Sequence, residues 1–296
     1  MSKPKRTWQV DFAILSLIWG ASFLFIAVAG KMLPPAGVAF WRMALGAAAL
    51  FIMIRVQRHK IPTNWDAWRK TLVAGLFMSA IPFALFAYGE LHISSGLAGM
   101  INAATPVMTV LVIMVAFRDQ TPTRIQVIGL SVGIVGTLVL LGIWNGFGEN
   151  DPLAVGALLL ATLCYGFGSP YIRKNVSPLG LPATVAVFMQ LTTAAVVTLP
   201  FYLFGPLTTG STNWGALASI TALGVLGTGL AYILYYRIID EAGSTIASSV
   251  TIVQPVVAVI LGMIILGETI NWYEVLGGVI IILGALVAQG RLKFLR

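Results

Sequence analysis

Charged side chains are scarce: Asp, Glu, Lys and Arg together make up 9% of the 296 residues, where a soluble domain carries about 25%. So few charges cannot cover a water-facing surface, which excludes a soluble globular domain. From Asn175 to Tyr236 there is no charged residue at all, a stretch long enough for more than two membrane crossings of about 20 residues each. Histidine and cysteine are nearly missing as well. Two histidines (His59, His92) and one cysteine (Cys164) are too few for a metal cluster or a nucleophile–base pair, so a membrane enzyme is disfavoured and neither metal nor cofactor is expected. A single cysteine closes no internal disulfide, and Cys164, set in an apolar run, reads as a small packed side chain. Acids are missing from mid-span. Asp11, Glu90, Asp119, Glu149, Asp151, Asp240, Glu241, Glu268 and Glu274 stand at span ends and Asp66 in a loop, which leaves no carboxylate at the midplane to carry a proton.

What is present is apolar: 58% of the residues are hydrophobic. Ten runs are long enough to cross a bilayer, at about 11–31, 36–55, 71–90, 94–117, 123–142, 152–173, 182–204, 214–236, 244–266 and 271–290. In lipid they must be helices, because the backbone has to find its partners inside each segment. Leu33-Pro34-Pro35, Thr121-Pro122-Thr123 and Asn150-Asp151-Pro152 punctuate the connections. Lys3, Lys5 and Arg6 ahead of an apolar run, with Ala27-Val28-Ala29 further on, resemble a cleaved signal. The run is longer than a typical signal core and has a counterpart later in the chain, so it is read as the first span. Of the 18 Lys and Arg, 16 fall on one side of this ten-span layout, with Lys31 and Arg42 the exceptions. By the positive-inside rule that side is cytoplasmic, and both termini lie there. The basic net charge of +8 is thus a topology signal, and no nucleic-acid partner is expected. Trp144, Trp214 and Trp272, and on the basic side Trp65 and Trp68, read as interfacial anchors.

The chain also repeats itself at an offset of about 149 residues. Ala104-Thr105-Pro106-Val107 aligns with Val253-Gln254-Pro255-Val256, Ser95 with Ser244, Asn102 with Thr251 and Gly129 with Gly278. Each half, residues 1–146 and 147–296, holds five spans, and an odd number forces the second to enter from the opposite face. The expected fold is all-α and integral to the membrane, with ten transmembrane helices as two inverted five-helix repeats around a central cavity. That plan belongs to secondary transporters, whose site lies near the midplane between the repeats.

Two stretches carry a family resemblance: Tyr235-Tyr236-Arg237-Ile238-Ile239 through Gln254-Pro255-Val256-Val257-Ala258, and Leu266-Gly267-Glu268 with Gly277-Gly278 after it. Ile18-Trp19-Gly20-Ala21-Ser22-Phe23 and Phe40-Trp41-Arg42 add to it in the first half. With them the chain resembles the EamA-type ten-helix transporters of the drug/metabolite transporter superfamily over essentially its whole length. The resemblance is strongest to bacterial amino acid exporters of that group. It implies export of amino acids, aromatic or other neutral ones, and related small metabolites across a bacterial inner membrane by alternating access. Phe117-Arg118-Asp119 departs from the Leu-Gly-Glu pattern in the first half, and another cargo such as drugs, sugars or nucleotides stays open.

A solute path needs polar or small faces on apolar helices. Asn102, Thr105 and Thr109 on span four, and Ser248, Thr251 and Gln254 on span nine, repeat at helical spacing. Asn102 and Gln254 can each donate and accept, which suits a zwitterionic head. Small polar residues also glue helices together in lipid, and for the serines both readings stand. Trp19, Ser22, Phe23, Ser79, Phe83, Tyr88, Tyr165, Ser169 and Tyr232 are the other expected wall residues. Pro106 and Pro255, at matched positions, are candidate hinges. Arg42, about two turns inside span two, either snorkels to the surface or makes a structural or gating contact. His92, at a span end beside Glu90, reads as a loop residue. Without a midplane acid the expected cycle is facilitated movement down a gradient. Gly129, Gly133, Gly277, Gly278 and Gly284 give spans five and ten small-residue faces, suited to a scaffold or a dimer contact, so monomer and dimer both remain open.

Overall fold

The computed structural model describes residues 8–116, 124–140, 144, 151–208, 210, 213–243, 247, 249–252 and 254–288. Among them every regular element is a helix and there is no strand, as a chain whose backbone must be satisfied without water requires. Seven helices are long and apolar enough to cross a membrane: α1 (Trp8–Gly30), α2 (Pro35–Gln57), α3 (Trp65–Gly89), α4 (Ser95–Ala116), α6 (Pro152–Leu179), α7 (Ala183–Leu203) and α8 (Trp214–Ala242). Three shorter apolar helices complete the described set: α5 (Arg124–Leu140), α9 (Gln254–Leu266) and α10 (Trp272–Ala288). The boundary between the two expected halves, residues 146 and 147, lies outside the described residues.

Several helices are not regular, and the irregularities recur. In α3 the backbone widens into a π-turn at Leu76–Ala80, and in α8 at Val225–Leu230. Leu76 and Val225 are 149 residues apart. The glycine just before each turn, Gly75 or Gly224, is pressed against a neighbouring helix. A Cβ on Gly75 would lie 2.6 Å from the Gln190 carbonyl of α7, and one on Gly224 would lie 3.1 Å from the Arg42 carbonyl of α2. α4 is broken: the helix Ser95–Asn102 ends in a turn at Ala103 and Ala104, and a second helix runs Thr105–Ala116. α9 starts at Gln254 after a 3₁₀ turn at Ser249–Ile252. The sequence predicts Pro106 and Pro255 inside continuous spans. Both instead occupy the second position of a fresh helical segment, where a missing N–H costs nothing and a fixed φ helps.

Packing follows the same pairing. α2 lies on α7 and α5 lies on α10; α1 packs on α8 and α9, while α6 packs on α3 and α4. The α5–α10 contact is backbone against backbone. A Cβ on Gly136 would lie 2.6 Å from the Ile281 nitrogen, and one on Gly284 would lie 2.9 Å from the Gly129 carbonyl. The glycines expected to offer a scaffold or a dimer face are thus used within the chain: Gly277 faces Leu140 and Gly278 faces Met100.

Candidate functional site

Where the breaks in α4 and α9 meet α1, α3, α6 and α8, the packing leaves a cavity of about 540 Å³, open solvent at its mouth included. Its polar centre is made at the helix breaks. Asn102, the last residue before the turn in α4, donates from Nδ2 to Gln254 Oε1 at 2.5 Å. Thr105 Oγ1 donates to the Asn102 carbonyl at 2.7 Å and to its Oδ1 at 3.2 Å. Asn102 and Gln254, read from the sequence as two separate polar groups, are therefore bonded to each other across the cavity, and Thr251 lines it beside them.

Aromatic rings form much of the remaining wall. Trp19 stands 5.6 Å from the Tyr232 ring and 5.1 Å from the Tyr235 ring, centroid to centroid. Phe23 meets Phe86 edge-on at 5.8 Å, and Phe86 stacks on Tyr165 at 6.0 Å. Ser22 also lines the cavity, with its hydroxyl donated to the Ile18 carbonyl one turn back at 3.0 Å.

Arg42 does not snorkel. It is 6% exposed and lines the cavity. Its Nε donates to Thr228 Oγ1 at 2.7 Å and its Nη2 to the Gly227 carbonyl at 3.4 Å. The guanidinium carbon lies 3.7 Å from the centre of the Phe83 ring. The π-turn in α8 makes this possible: it frees the Gly227 carbonyl from its regular partner, and Trp19 Nε1 donates to the same oxygen at 3.0 Å.

Three predicted wall residues do not line the cavity. Ser79 is fully buried in the π-turn of α3 and accepts from Gln190 Nε2 at 2.9 Å. Ser169 bonds the Tyr235 hydroxyl at 2.6 Å and donates to the Tyr165 carbonyl at 3.0 Å. Tyr88 sits at the end of α3 with its ring 4.9 Å from that of His92. In each case a neighbouring side chain or the end of the helix takes the group that the spacing aimed inward. Ser248 lies outside the described residues. The cavity also takes in Ile26, Met78, Phe86 and Tyr235, which the sequence reading did not single out. Phe86 lies one turn beyond Phe83, and Tyr235 lies three residues beyond Tyr232; helical spacing was the available signal. Next to the wall runs a buried polar chain that was also missed: Tyr236 Oη donates to Gln190 Oε1 at 2.7 Å, and Tyr232 Oη donates to the Met78 carbonyl.

At the end of the helices away from the Lys/Arg-rich loops two acids depart from a simple interfacial role. Glu268 accepts from the Ser95 backbone at 2.8 Å, the Ser95 hydroxyl at 2.9 Å and the Gly96 backbone at 3.1 Å, capping α4 from the opposite half of the chain. Glu90, at the end of α3, is 9% exposed, and neither carboxylate oxygen has a hydrogen-bond partner among the described residues. It meets Arg42 and Glu268 only through space.

The EamA-like transporter family matches twice, over residues 8–142 and 152–289. The uncharacterized inner membrane transporter YedA of Escherichia coli K12 is 26% identical, with 95% of this chain and 90% of that protein aligned. An uncharacterized transporter of Archaeoglobus fulgidus is 25% identical over 94% and 97% of the two chains. Protein PagO of Salmonella typhimurium LT2 is 24% identical over 92% and 89%. A protein crystal structure superposes with a TM-score of 0.68 at 18% identity over 98% of each chain, which speaks to the fold alone. A chain whose described residues form seven helices long and apolar enough to cross a membrane, with shorter apolar ones beside them, and which this family matches along nearly its whole length, is a multi-pass membrane protein and belongs to the EamA-like transporters of the drug/metabolite transporter superfamily.

Proposed function

We propose that the two matched segments are inverted five-helix repeats and that the cavity between them is the solute site of an alternating-access exporter. Amino acids, aromatic or otherwise neutral, are its cargo. The observation that carries the reading is the hydrogen-bonded pair of broken helices: Asn102 at a break in α4 touches Gln254 at the start of α9, in the wall of the cavity. Unwound backbone at membrane depth is tolerated where it lines a cavity, and broken helices in corresponding positions mark transporter sites. The paired π-turns 149 residues apart and the exchange of packing partners between the halves support the repeat. The Lys/Arg bias supports termini in the cytoplasm, in a bacterial inner membrane. The aromatic wall suits an aromatic side chain, and the amide pair suits its head group.

Efflux from proteoliposomes loaded with a panel of labelled amino acids tests this. Aromatic amino acids leave faster than glycine or glutamate, and Asn102→Ala and Gln254→Ala change the order of preference. Equal fluxes for every member of the panel sink the cargo reading. Single cysteines at both termini that label from opposite faces sink the inverted repeat.

A second reading, a proton-coupled cycle, is favoured by Glu90, a buried carboxylate with no partner among the described residues, facing Arg42 and Glu268. His92, two residues on, lies 3.9 Å from Asp151. Accumulation that requires a pH gradient and is lost in Glu90→Gln selects this reading over passive facilitation.

A further inference from the structure

We propose that Arg42 is the receptor for a carboxylate on the transported solute, so that cargo is selected by its carboxylate and not by its amine. This rests on the reading of the cavity as a solute site.

Arg42 is the one charged side chain lining the cavity among the described residues, and it is 6% exposed. No described carboxylate oxygen comes within 4.0 Å of it, whereas the pairs on the protein surface, such as Lys70 with Asp66 at 2.6 Å, close to contact. A buried cation without a contact anion is costly, and a buried cation beside an open cavity is where an anionic ligand is worth most. Glu90 faces Arg42 from beyond contact distance, which leaves the contact position open.

The guanidinium is also held in one plane. A guanidinium has five N–H donors; here Nε is tied to Thr228 Oγ1 at 2.7 Å and Nη2 to the Gly227 carbonyl at 3.4 Å, both on the π-turn. Phe83 covers one face at 3.7 Å. Nη1 and the second N–H of Nη2 have no acceptor among the described residues. That is the edge that takes a carboxylate in paired hydrogen bonds. Trp19 shares the Gly227 carbonyl with Arg42 at 3.0 Å, so an aromatic surface lies next to the cation. A cation edge beside an aromatic wall fits an arylalkyl monocarboxylate. A primary amine brought to the same place meets a like charge.

The test uses the full chain purified in detergent, with phenylacetate, phenylacetamide, phenethylamine and phenylalanine as probes and thermal stabilisation as the readout. Phenylacetate and phenylalanine stabilise the protein at concentrations at least about ten-fold lower than the amide and the amine, the advantage of one charge-assisted bidentate contact. Arg42→Gln, monodisperse on gel filtration, loses that preference, and Arg42→Lys keeps part of it. Equal stabilisation by acid and amide in the unaltered protein overturns the proposal whether or not the variants fold, as does the absence of stabilisation by either acid. A folded Arg42→Gln variant that retains the preference overturns it too. Flux assays separate the two levels. Acid-selective binding without any flux defeats the transport reading and leaves this assignment standing, while flux that ignores the carboxylate defeats this assignment alone.

Discussion

Two polar regions flank the same cavity and are built on opposite rules. Beside the aromatic wall, Tyr236, Gln190 and Ser79 form a buried chain in which each group has a partner, and Tyr235 and Ser169 form a second bond close by. At the other region, Arg42 has hydrogen bonds and a ring but no contact anion, and Glu90 has no hydrogen bond at all among the described residues. The first arrangement fixes helices. α3, α7 and α8 are joined by side chains that would otherwise be orphaned in an environment without water. The second leaves part of the Arg42 guanidinium and the Glu90 carboxyl without a hydrogen-bond partner among the described residues, the feature on which the proposed carboxylate receptor rests. Among the described residues the first region holds its polar groups in pairs, and the second does not.

The contrast can be broken by substitution. Gln190→Leu strands both the Tyr236 hydroxyl and the Ser79 hydroxyl, and a loss of about 2–3 kcal/mol in unfolding free energy is expected, measured by denaturation in mixed micelles. Cargo preference stays unchanged, because neither Gln190 nor Ser79 lines the cavity. Glu268→Ala removes a charged acceptor from two backbone N–H groups at the start of α4 and lowers stability by about 1–2 kcal/mol, with Glu268→Gln recovering part of it. Tyr235→Phe costs less, about 0.6 kcal/mol, the usual size of a side-chain bond between membrane helices, since Ser169 keeps its bond to the Tyr165 carbonyl. Glu90→Gln has the smallest effect and the opposite sign: replacing a buried carboxyl that has no hydrogen-bond partner among the described residues leaves thermal stability equal or raised. A Glu90→Gln variant that loses as much as Gln190→Leu erases the distinction between the two regions.

The parts of this architecture that are written in local sequence were legible. Apolar run length marked the seven helices long enough to cross a membrane and the shorter apolar ones, and the match of Thr105-Pro106 to Gln254-Pro255 pointed to the place where α4 and α9 break. Arg42 was recognisable as out of place, although whether it turns to water or to the interior is decided by Thr228 and Phe83, far away in the chain. What stayed hidden is what depends on partners. Gln190 sits in an uncharged run with nothing local to mark it, and its partners come from α3 and α8. Glu90 follows a helix end and looks interfacial; only the packing around it puts it out of the water. Ser79 and Ser169 lie at helical spacing for the cavity wall but are turned to Gln190 and Tyr235. The π-turns were invisible for another reason. Hydrophobic patterning reports which face is apolar, and a single extra residue in one turn changes which carbonyl is free more than it changes the pattern.

The bond from Glu268 to the start of α4 has a practical consequence. The amide hydrogens of Ser95 and Gly96 are held by an acid from the other end of the chain, 173 and 172 residues away. Their exchange with deuterated water therefore reports on whether the contact with Glu268 is formed. In the proposed alternating-access cycle these two peptide hydrogens time the opening of that contact, with neither a dye nor an engineered cysteine.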